Sequence, residues 1–243
     1  MKLISTIAIL FVLFSCNQRH ERIQVVENNN LNQKQIDSVL ENYNFEYESF
    51  IFIDSTQQAF LPITTQRPRG GSRLSTKSYE AESYPQYWNI IFYNIETGQT
   101  NLLTKLKMRI SNYHANLRNA GPIISKSIIY EICDTDYDND NQLTYKDPEQ
   151  LFISGIDGSN FKRLSPIGEQ IMDFQIVPNS DKIIFSTQRD TNEDSEFDKK
   201  DELIWYLINL SKESKPVEII NKIKRKEIEN LYFNQWLVKT KKE

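Results

Sequence analysis

Acidic side chains recur at alternate positions in two short stretches of the sequence, DYDNDNQLTYKD at 136–147 and DTNEDSEFDKKD at 190–201. Alternate side chains of a tight loop converge on one point, where carboxylates repel each other unless a cation lies between them. Calcium binds six to eight oxygen ligands, which carboxylates, backbone carbonyls and water can supply. The two stretches therefore predict calcium sites, and solvated acidic turns are the alternative interpretation.

The register of both stretches resembles the twelve-residue calcium loop of EF-hand-type proteins. That resemblance implies that positions 1, 3, 5, 7, 9 and 12 supply the ligands, position 7 through its backbone carbonyl. In the first loop these residues are Asp136, Asp138, Asp140, Gln142, Thr144 and Asp147. In the second loop they are Asp190, Asn192, Asp194, Glu196, Asp198 and Asp201. Position 8 is apolar in both loops, as Leu143 and Phe197. Because strand-like sequences follow both loops, we expect them to lie in β-hairpins rather than between two helices.

The two loops differ in ways that predict unequal affinity for calcium. Positions 1, 3 and 5 hold three carboxylates in the first loop but two in the second, because Asn192 is neutral. Position 6, usually a glycine, is Asn141 in the first loop and Ser195 in the second, and asparagine tolerates a positive φ better than serine. Asp134 adds negative potential just before the first loop. We therefore expect the first loop to bind calcium more tightly.

Both loops belong to a repeat of about 54 residues, the spacing between Asp136 and Asp190. Each repeat contains strand, acidic loop, strand, tight turn and strand, and QIMDFQIVP at 170–178 adds a fourth strand. Four antiparallel strands make one blade of a β-propeller, and residues 87–220 resemble TolB-like propeller repeats. The resemblance implies a mainly β fold of about three to four propeller-like blades. Either residues 45–62 and the C-terminus supply a further blade, or the ring of sheets is open.

Two helices are predicted at the ends of this domain. LNQKQIDSVLENY at 31–43 places Ile36, Val39 and Leu40 on one face of a short helix. The apolar residues of the C-terminal segment 221–239 also have helical spacing, and they are Ile228, Leu231, Tyr232 and Trp236. We expect the C-terminal helix to pack on the blades through this face.

The first sixteen residues, MKLISTIAILFVLFSC, have the pattern of an export signal, with a basic start and an apolar run of about a dozen residues. LFSC resembles the lipobox of bacterial lipoproteins, which implies that Cys16 is lipidated after cleavage. The expected organisation is a signal peptide at 1–15, a polar tether at 16–33 and the β domain at 34–243. An ordinary cleaved signal and an uncleaved anchor are the alternatives. The lipoprotein interpretation places the protein in the bacterial cell envelope, attached to a membrane on the periplasmic side or at the cell surface.

Composition excludes several other functions. The net charge of −4 argues against binding nucleic acid, because that binding depends on lysine and arginine. His20 and His114 are the only histidines, so a histidine-rich zinc site is excluded. Neither a G-x-S-x-G nucleophile motif nor a phosphate-binding glycine loop occurs. Cys133, in the apolar run SIIYEICD, is predicted to be a buried structural thiol.

These observations favour a calcium-binding lipoprotein of the cell envelope that has a binding or scaffolding role and no catalytic activity. Its partners would be the membrane, through the lipid at Cys16, and an envelope protein or glycan. The alternative is a hydrolase of envelope polysaccharide or peptide that uses Asp or Glu. A pair of carboxylates outside 136–147 and 190–201, converging on one face, would favour the hydrolase.

Overall fold

Within residues 46–64, 87–212 and 215–237, which a computed structural model of the protein describes, the chain forms thirteen antiparallel strands and one α-helix. The first five strands are β1 (Glu46–Tyr47), β2 (Ile51–Phe52), β3 (Gln58–Thr64), β4 (Tyr87–Asn94) and β5 (Thr100–Leu102). The next four are β6 (Arg109–His114), β7 (Ser127–Cys133), β8 (Gln150–Gly155) and β9 (Lys162–Arg163). The last elements are β10 (Glu169–Ile176), β11 (Lys182–Arg189), β12 (Glu202–Asn209), β13 (Val217–Glu218) and helix α1 (Lys222–Gln235). The fold is mainly β, as the sequence predicts.

The strands form two sheets, and neither closes into a ring within the described residues. The larger sheet has the order β1-β3-β4-β6-β7-β8-β9, with β2 paired to β3 and β5 paired to β4. A single residue pair, Tyr87 with Ile110, joins β4 to β6. The larger sheet therefore divides into a unit of β2–β5, extended by β1, and a unit of β6–β9. The smaller sheet, β10-β11-β12-β13, is a third unit of four strands.

The central unit is buried on both faces, because successive side chains of a strand point to opposite sides of the sheet. On one face, Ile128, Tyr130 and Ile132 of β7 belong to a core shared with the first unit. On the other face, Ile129 of β7 belongs to a core shared with the third unit, which includes Phe185 of β11. This two-sided burial explains why β7 has the nearly continuous apolar sequence SIIYEIC.

Asp181 connects the third unit to the central one. Its Oδ1 accepts hydrogen bonds from the backbone amides of Ile123 at 2.8 Å and Ile124 at 3.0 Å, where a short 3-10 helix begins before β7. Its Oδ2 accepts a hydrogen bond from the Ser211 hydroxyl at 3.3 Å. Asp181 is buried, and a buried carboxylate is stable only when such donors compensate for its lost hydration.

The predictions for the chain ends have different outcomes. The C-terminal helix exists, and Asn221 caps it by accepting a hydrogen bond from the Lys224 backbone amide at 3.0 Å. Its predicted packing is wrong, because its apolar residues are about half exposed or more and none is buried: Ile228, Leu231, Tyr232 and Trp236. The predicted helix at 31–43 lies outside the described residues. Residues 45–62, suggested as part of a further blade, contribute β1, β2 and most of β3 to the first unit.

Candidate metal centre

The first acidic loop leaves the sheet at the end of β7 and returns at the start of β8. It brings three carboxylates together, because oxygens of Asp136, Asp138 and Asp147 all lie within 4.8 Å of one another. Asp147 is buried and the other two are partly buried. Oxygens at such spacing can hold a metal ion, and an all-carboxylate set suits a hard cation. No other group of three acidic, histidine or cysteine side chains meets in this way within the residues that the structure describes.

Backbone amides hold these carboxylates in place. The Asn141 amide donates to Asp136 Oδ2 at 2.9 Å. Asp147 closes the loop, because its Oδ1 accepts from the Tyr137 amide and its Oδ2 from the Thr144 amide, both at 2.7 Å. The ligand oxygens are therefore positioned by the loop backbone itself.

The other predicted ligands of the first loop lie around this cluster. Asp140 is not part of it, and its Oδ1 accepts a hydrogen bond from the Gln142 amide at 2.8 Å. The Asp140 amide in turn donates to Asp136 and Asp138, at 3.1 and 3.2 Å. The Thr144 hydroxyl accepts from the Lys146 amide at 3.2 Å. The carboxylates at positions 1, 3 and 12 therefore lie together. The side chains of Asp140 and Thr144, at positions 5 and 9, accept hydrogen bonds from backbone amides of the loop.

The second loop, between β11 and β12, repeats most of these hydrogen bonds. One differs, because Asp190 Oδ1 accepts from the Glu193 amide at 2.7 Å, whereas Asp136 Oδ1 accepts from the Asp140 amide. The Ser195 amide donates to Asp190 Oδ2 at 3.0 Å, and Asp201 accepts from the Thr191 and Asp198 amides at 3.1 and 2.9 Å. The amides of Asp194 and Glu196 donate to Asn192 Oδ1 and Asp194 Oδ1, both at 3.0 Å. Sequence register alone predicted this equivalence, and the backbone of the two loops agrees with it.

Positive φ angles occur at the same two positions of each loop. They are 60° at Asn139 and 65° at Asn141 in the first loop, and 60° at Glu193 and 62° at Ser195 in the second. Asparagine adopts this conformation more readily than glutamate or serine. The second loop therefore holds the same turn at a greater conformational cost.

The second loop also carries a cation of its own. Lys200 Nζ lies 3.1 Å from Asp198 Oδ2 and 3.9 Å from Asp194 Oδ2. The Lys200 backbone and side-chain donors hold the pKa of Asp198 below its ordinary value, and Asp198 in turn raises the pKa of Lys200. Lys146, the equivalent residue of the first loop, forms no ion pair with any residue that the structure describes. A metal ion entering the second loop must therefore displace a lysine.

Three arginines anchor the loops from the sheets, and sequence analysis identified none of them. Arg109 of β6 is buried and donates to Glu149 at 3.0 Å and to the Thr144 carbonyl at 2.6 Å. Arg189 immediately precedes the second loop and pairs with carboxylates on the three other strands of its sheet. The spacing of residues along the sequence does not predict these contacts, because each of them joins residues that are far apart in the chain.

Arg163 anchors the start of the first loop. It donates to the Asp134 carboxylate and lies over the Phe152 ring, with its guanidinium carbon 5.3 Å from the ring centroid. The charge of Asp134 is therefore largely balanced by Arg163. Asp134 therefore adds much less negative potential to the first loop than the sequence predicts.

The two loops touch each other. The Tyr137 hydroxyl donates to Asp190 Oδ2 at 3.3 Å, and the rings of Tyr137 and Phe197 lie 5.4 Å apart between centroids. Burial, together with the nearby Asp190 carboxylate, raises the pKa of Tyr137. A groove of about 720 Å³ between the loops is lined by residues of both, among them Asp138 and Glu196.

Cys133 and His114, the other residues considered for chemistry, lie in packed parts of the fold. Cys133 is buried at the end of β7, as predicted, and burial raises the pKa of its thiol to about 11. His114 Nε2 lies 3.0 Å from Glu131 Oε1, and its ring makes a T-shaped contact with Phe174 from the third unit. Cys16, His20, the signal segment at 1–15 and the tether at 16–33 lie outside the described residues.

Comparison with known proteins found no match to any family model and none to any curated protein. Among the residues that the structure describes, no helix is long and apolar enough to cross a membrane.

Proposed function

We propose that this protein binds calcium through its two acidic loops. The observation that carries the proposal is the meeting of Asp136, Asp138 and Asp147 in the first loop. The matching hydrogen bonds of the second loop support a second site of the same design. Calcium fits better than a transition metal because the ligands are oxygens, supplied by carboxylates and backbone carbonyls. The ligand set remains that of the sequence prediction, with positions 5, 7 and 9 completing each site.

Calorimetric titration with calcium tests this proposal. Two binding steps are expected, the tighter one lost in Asp136→Ala and the weaker one in Asp190→Ala. The competing Lys200 and the positive φ of Ser195 support that ranking. Asp173→Ala, which removes an exposed carboxylate of β10, is the matched control and should leave both steps unchanged. Absence of any binding would refute the calcium proposal, whereas tighter binding in the second loop would refute only the ranking.

Calcium should also stabilise the fold. A ligand at about 100 times its Kd stabilises the native state by roughly 2.7 kcal/mol if it binds only the folded chain. The melting temperature should then rise by several degrees in calcium and fall in a chelator. A melt that does not respond to chelator would argue against sites occupied by calcium in the folded state.

The architecture that we propose around these sites is propeller-like. Three units of four antiparallel strands follow one another along the chain, and the central unit shares one core with each neighbour. Such face-to-face stacking of four-stranded units supports the TolB-like interpretation. The proposed role is binding or scaffolding, with an envelope protein or glycan as partner. Co-purification of the native lipidated protein from its membrane should reveal that partner.

Attachment to the membrane through a lipid at Cys16 is part of the proposal and rests on the LFSC sequence. Cys16→Ala should release the protein from the membrane fraction or block its processing. Cys133→Ala is the control, since its thiol is buried, and it should fractionate as the unmodified chain does. If Cys16→Ala remains membrane-bound and is still cleaved, the lipoprotein interpretation is wrong.

The hydrolase alternative requires free carboxylates converging outside the loops. Glu169, Glu202 and Glu218 do converge, but all three lie within 4.0 Å of Arg189 nitrogens. Their charges are therefore partly neutralised in a structural network, which supports the non-catalytic role. Purified protein should show no turnover of envelope glycans or peptides. Turnover that is abolished by Glu202→Gln and retained in Asp136→Ala would favour the hydrolase.

A further inference from the structure

Tyr137 occupies position 2 of the first loop and contacts both loops at once. Its backbone amide donates to Asp147 Oδ1 at 2.7 Å, at position 12 of its own loop. Its hydroxyl donates to Asp190 Oδ2 at 3.3 Å, at position 1 of the second loop. Its ring also packs against Phe197, at position 8, with 44° between the ring planes. Tyr137 therefore connects Asp147, the position 12 ligand proposed for the first loop, to Asp190, the position 1 ligand proposed for the second loop.

The reverse connection is missing from the second loop. Thr191 is its position 2, and the Thr191 amide donates to Asp201 at 3.1 Å as Tyr137 does to Asp147. The Thr191 hydroxyl, however, donates back to Asp201 of the same loop at 3.5 Å. The link between the loops at position 2 thus depends on the tyrosine of the first loop.

Two physical effects follow from this arrangement. A group that hydrogen-bonds to a metal-ligating carboxylate orients it, and loss of such a partner typically lowers metal affinity about 10- to 100-fold. An ion in the first loop would fix Asp147, and with it the backbone and ring position of Tyr137. Asp190 and Phe197 would then be ordered before the second ion arrives, which reduces the conformational entropy lost on binding.

We infer that Tyr137 is a positioning residue that couples the loops, so that calcium in the first loop raises the affinity of the second. This inference rests on the proposed calcium binding, and it describes how occupancy of one loop would regulate the affinity of the other. By linkage, calcium in the second loop must raise the affinity of the first by the same factor. Two bound ions also repel each other, and this repulsion weakens binding of the second ion. The coupling through Tyr137 acts in the opposite direction.

Calcium titration of single-site variants of the full chain tests the inference. Asp140→Ala disables the first loop and Asp194→Ala the second, because each removes the proposed position 5 ligand, and neither residue hydrogen-bonds to the Tyr137 side chain. With Tyr137 present, disabling the first loop should lower the affinity of the second by about fivefold or more. In a Tyr137→Phe background, disabling the first loop should no longer lower the affinity of the second, because only the repulsion between the two ions remains to be relieved. This double-mutant cycle isolates coupling from any effect of Tyr137 on folding alone.

Tyr137→Phe by itself should weaken the second loop about tenfold, although the substitution lies in the first loop. In the Asp194→Ala background it should leave the first loop unaltered. Tyr145→Phe removes the hydroxyl of an exposed tyrosine in the same loop and should change neither affinity. Phe197→Leu, which removes the ring contact from the other side, should reproduce the loss of coupling.

The failure of this inference is distinguishable from failure of the proposed function. If the two calcium affinities are independent of each other and unchanged by Tyr137→Phe, the coupling inference is wrong and the calcium-binding proposal still holds. A chain that binds no calcium would overturn both. Far-ultraviolet circular dichroism in chelator should show the same fold for each variant.

Discussion

Arg189 and Glu169 lie directly opposite each other on β11 and β10, and Arg189 Nε donates to Glu169 Oε1 at 2.6 Å. The same guanidinium reaches Glu202 of β12 at 3.8 Å and Glu218 of β13 at 3.2 Å. Arg189 therefore connects all four strands of the third unit. Because Arg189 precedes the second loop and Glu202 follows it, this network also fixes both ends of that loop.

The first prediction concerns this network. Arg189→Met should lower the free energy of unfolding by about 2–4 kcal/mol, because it leaves the buried Glu169 carboxylate without its cation. Thr187 and Tyr206 would still donate to Glu169, at 2.5 and 3.1 Å, and cannot neutralise its charge. Urea denaturation in the presence of chelator measures the loss without a contribution from calcium.

Arg118→Met provides the matched control for Arg189→Met. Its pair with Asp54 is solvent-exposed at a distance of 3.5 Å, and such pairs contribute about 0–1 kcal/mol. Equal stability losses in the two variants would show that the network on the third unit has no special role.

The second prediction is a loss of stability in alkali. Burial, followed by nearby phenol and carboxylate groups, raises the pKa of Tyr87 to about 12, and burial with Glu169 does the same for Tyr206. Between pH 10 and 12 the folded state therefore binds more protons than the unfolded state. The stability contributed by these phenols is complete below pH 10 and is lost as the pH rises through 12.

Urea denaturation at several pH values from 9 to 12 measures this loss. Tyr206→Phe should reduce the slope of unfolding free energy against pH, since one of the proton-retaining phenols is gone. Tyr145→Phe, on an exposed tyrosine of the first loop, should leave the slope unaltered. A slope that is the same in both variants would contradict the role assigned to Tyr206.

The third prediction separates backbone strain from steric conflict. Gly158 has a φ of +81°, and a Cβ built there would lie 2.6 Å from the Phe92 ring. Gly98 has a similar φ of +71° but open space around the position. Gly98→Ala should therefore cost about 1 kcal/mol from the left-handed conformation alone.

Gly158→Ala should cost at least about 1 kcal/mol more than Gly98→Ala, because Phe92 is fully buried and its displacement disturbs a packed core. Thermal and chemical denaturation of the two variants measure the difference. Equal losses would mean that the tight turn between β8 and β9 can move away from Phe92.

Local sequence pattern predicted the parts of this structure that depend on local physics. The strands β7 and β11 were predicted from their apolar runs, which are a local feature of the sequence. The two loops share a twelve-residue register in sequence, and their similar hydrogen bonds and positive φ values show that they also share a turn geometry. The C-terminal helix was predicted correctly because the helical spacing of its apolar residues is local.

Features that depend on distant partners were not predictable in the same way. The strand β6 has the sequence RISNYH, with no sustained apolar alternation, and it forms because it pairs with β7. The role of Arg109 depends on Thr144, which lies 35 positions further along the chain. The burial of helix α1 was overestimated, because a helical period says which residues share a face but not whether another element covers it.

The last prediction concerns Lys200, the cation that the second loop already carries. Calcium must displace its ammonium group from Asp198 and Asp194 before it can use those carboxylates. Lys200→Gln should therefore raise the calcium affinity of the second loop by up to about fivefold, the range expected for an exposed ion pair. Titration in the Asp140→Ala background, where only the second loop binds, assigns the effect to that loop. Lys146→Gln, titrated in the Asp194→Ala background, is the matched control, because it removes a charge at the same loop position without breaking an ion pair.

The gain from Lys200→Gln should exceed the gain from Lys146→Gln, since only Lys200 pairs with carboxylates of its loop. Salt should reduce the difference between the two variants, because the Debye length falls from about 10 Å at 0.1 M to about 3 Å at 1 M. Equal gains would indicate that the lysine acts only through overall charge and that Asp198 and Asp194 are already free for an ion. In that case the weaker second site would have to be explained by Asn192 and by the strained φ of Ser195 alone.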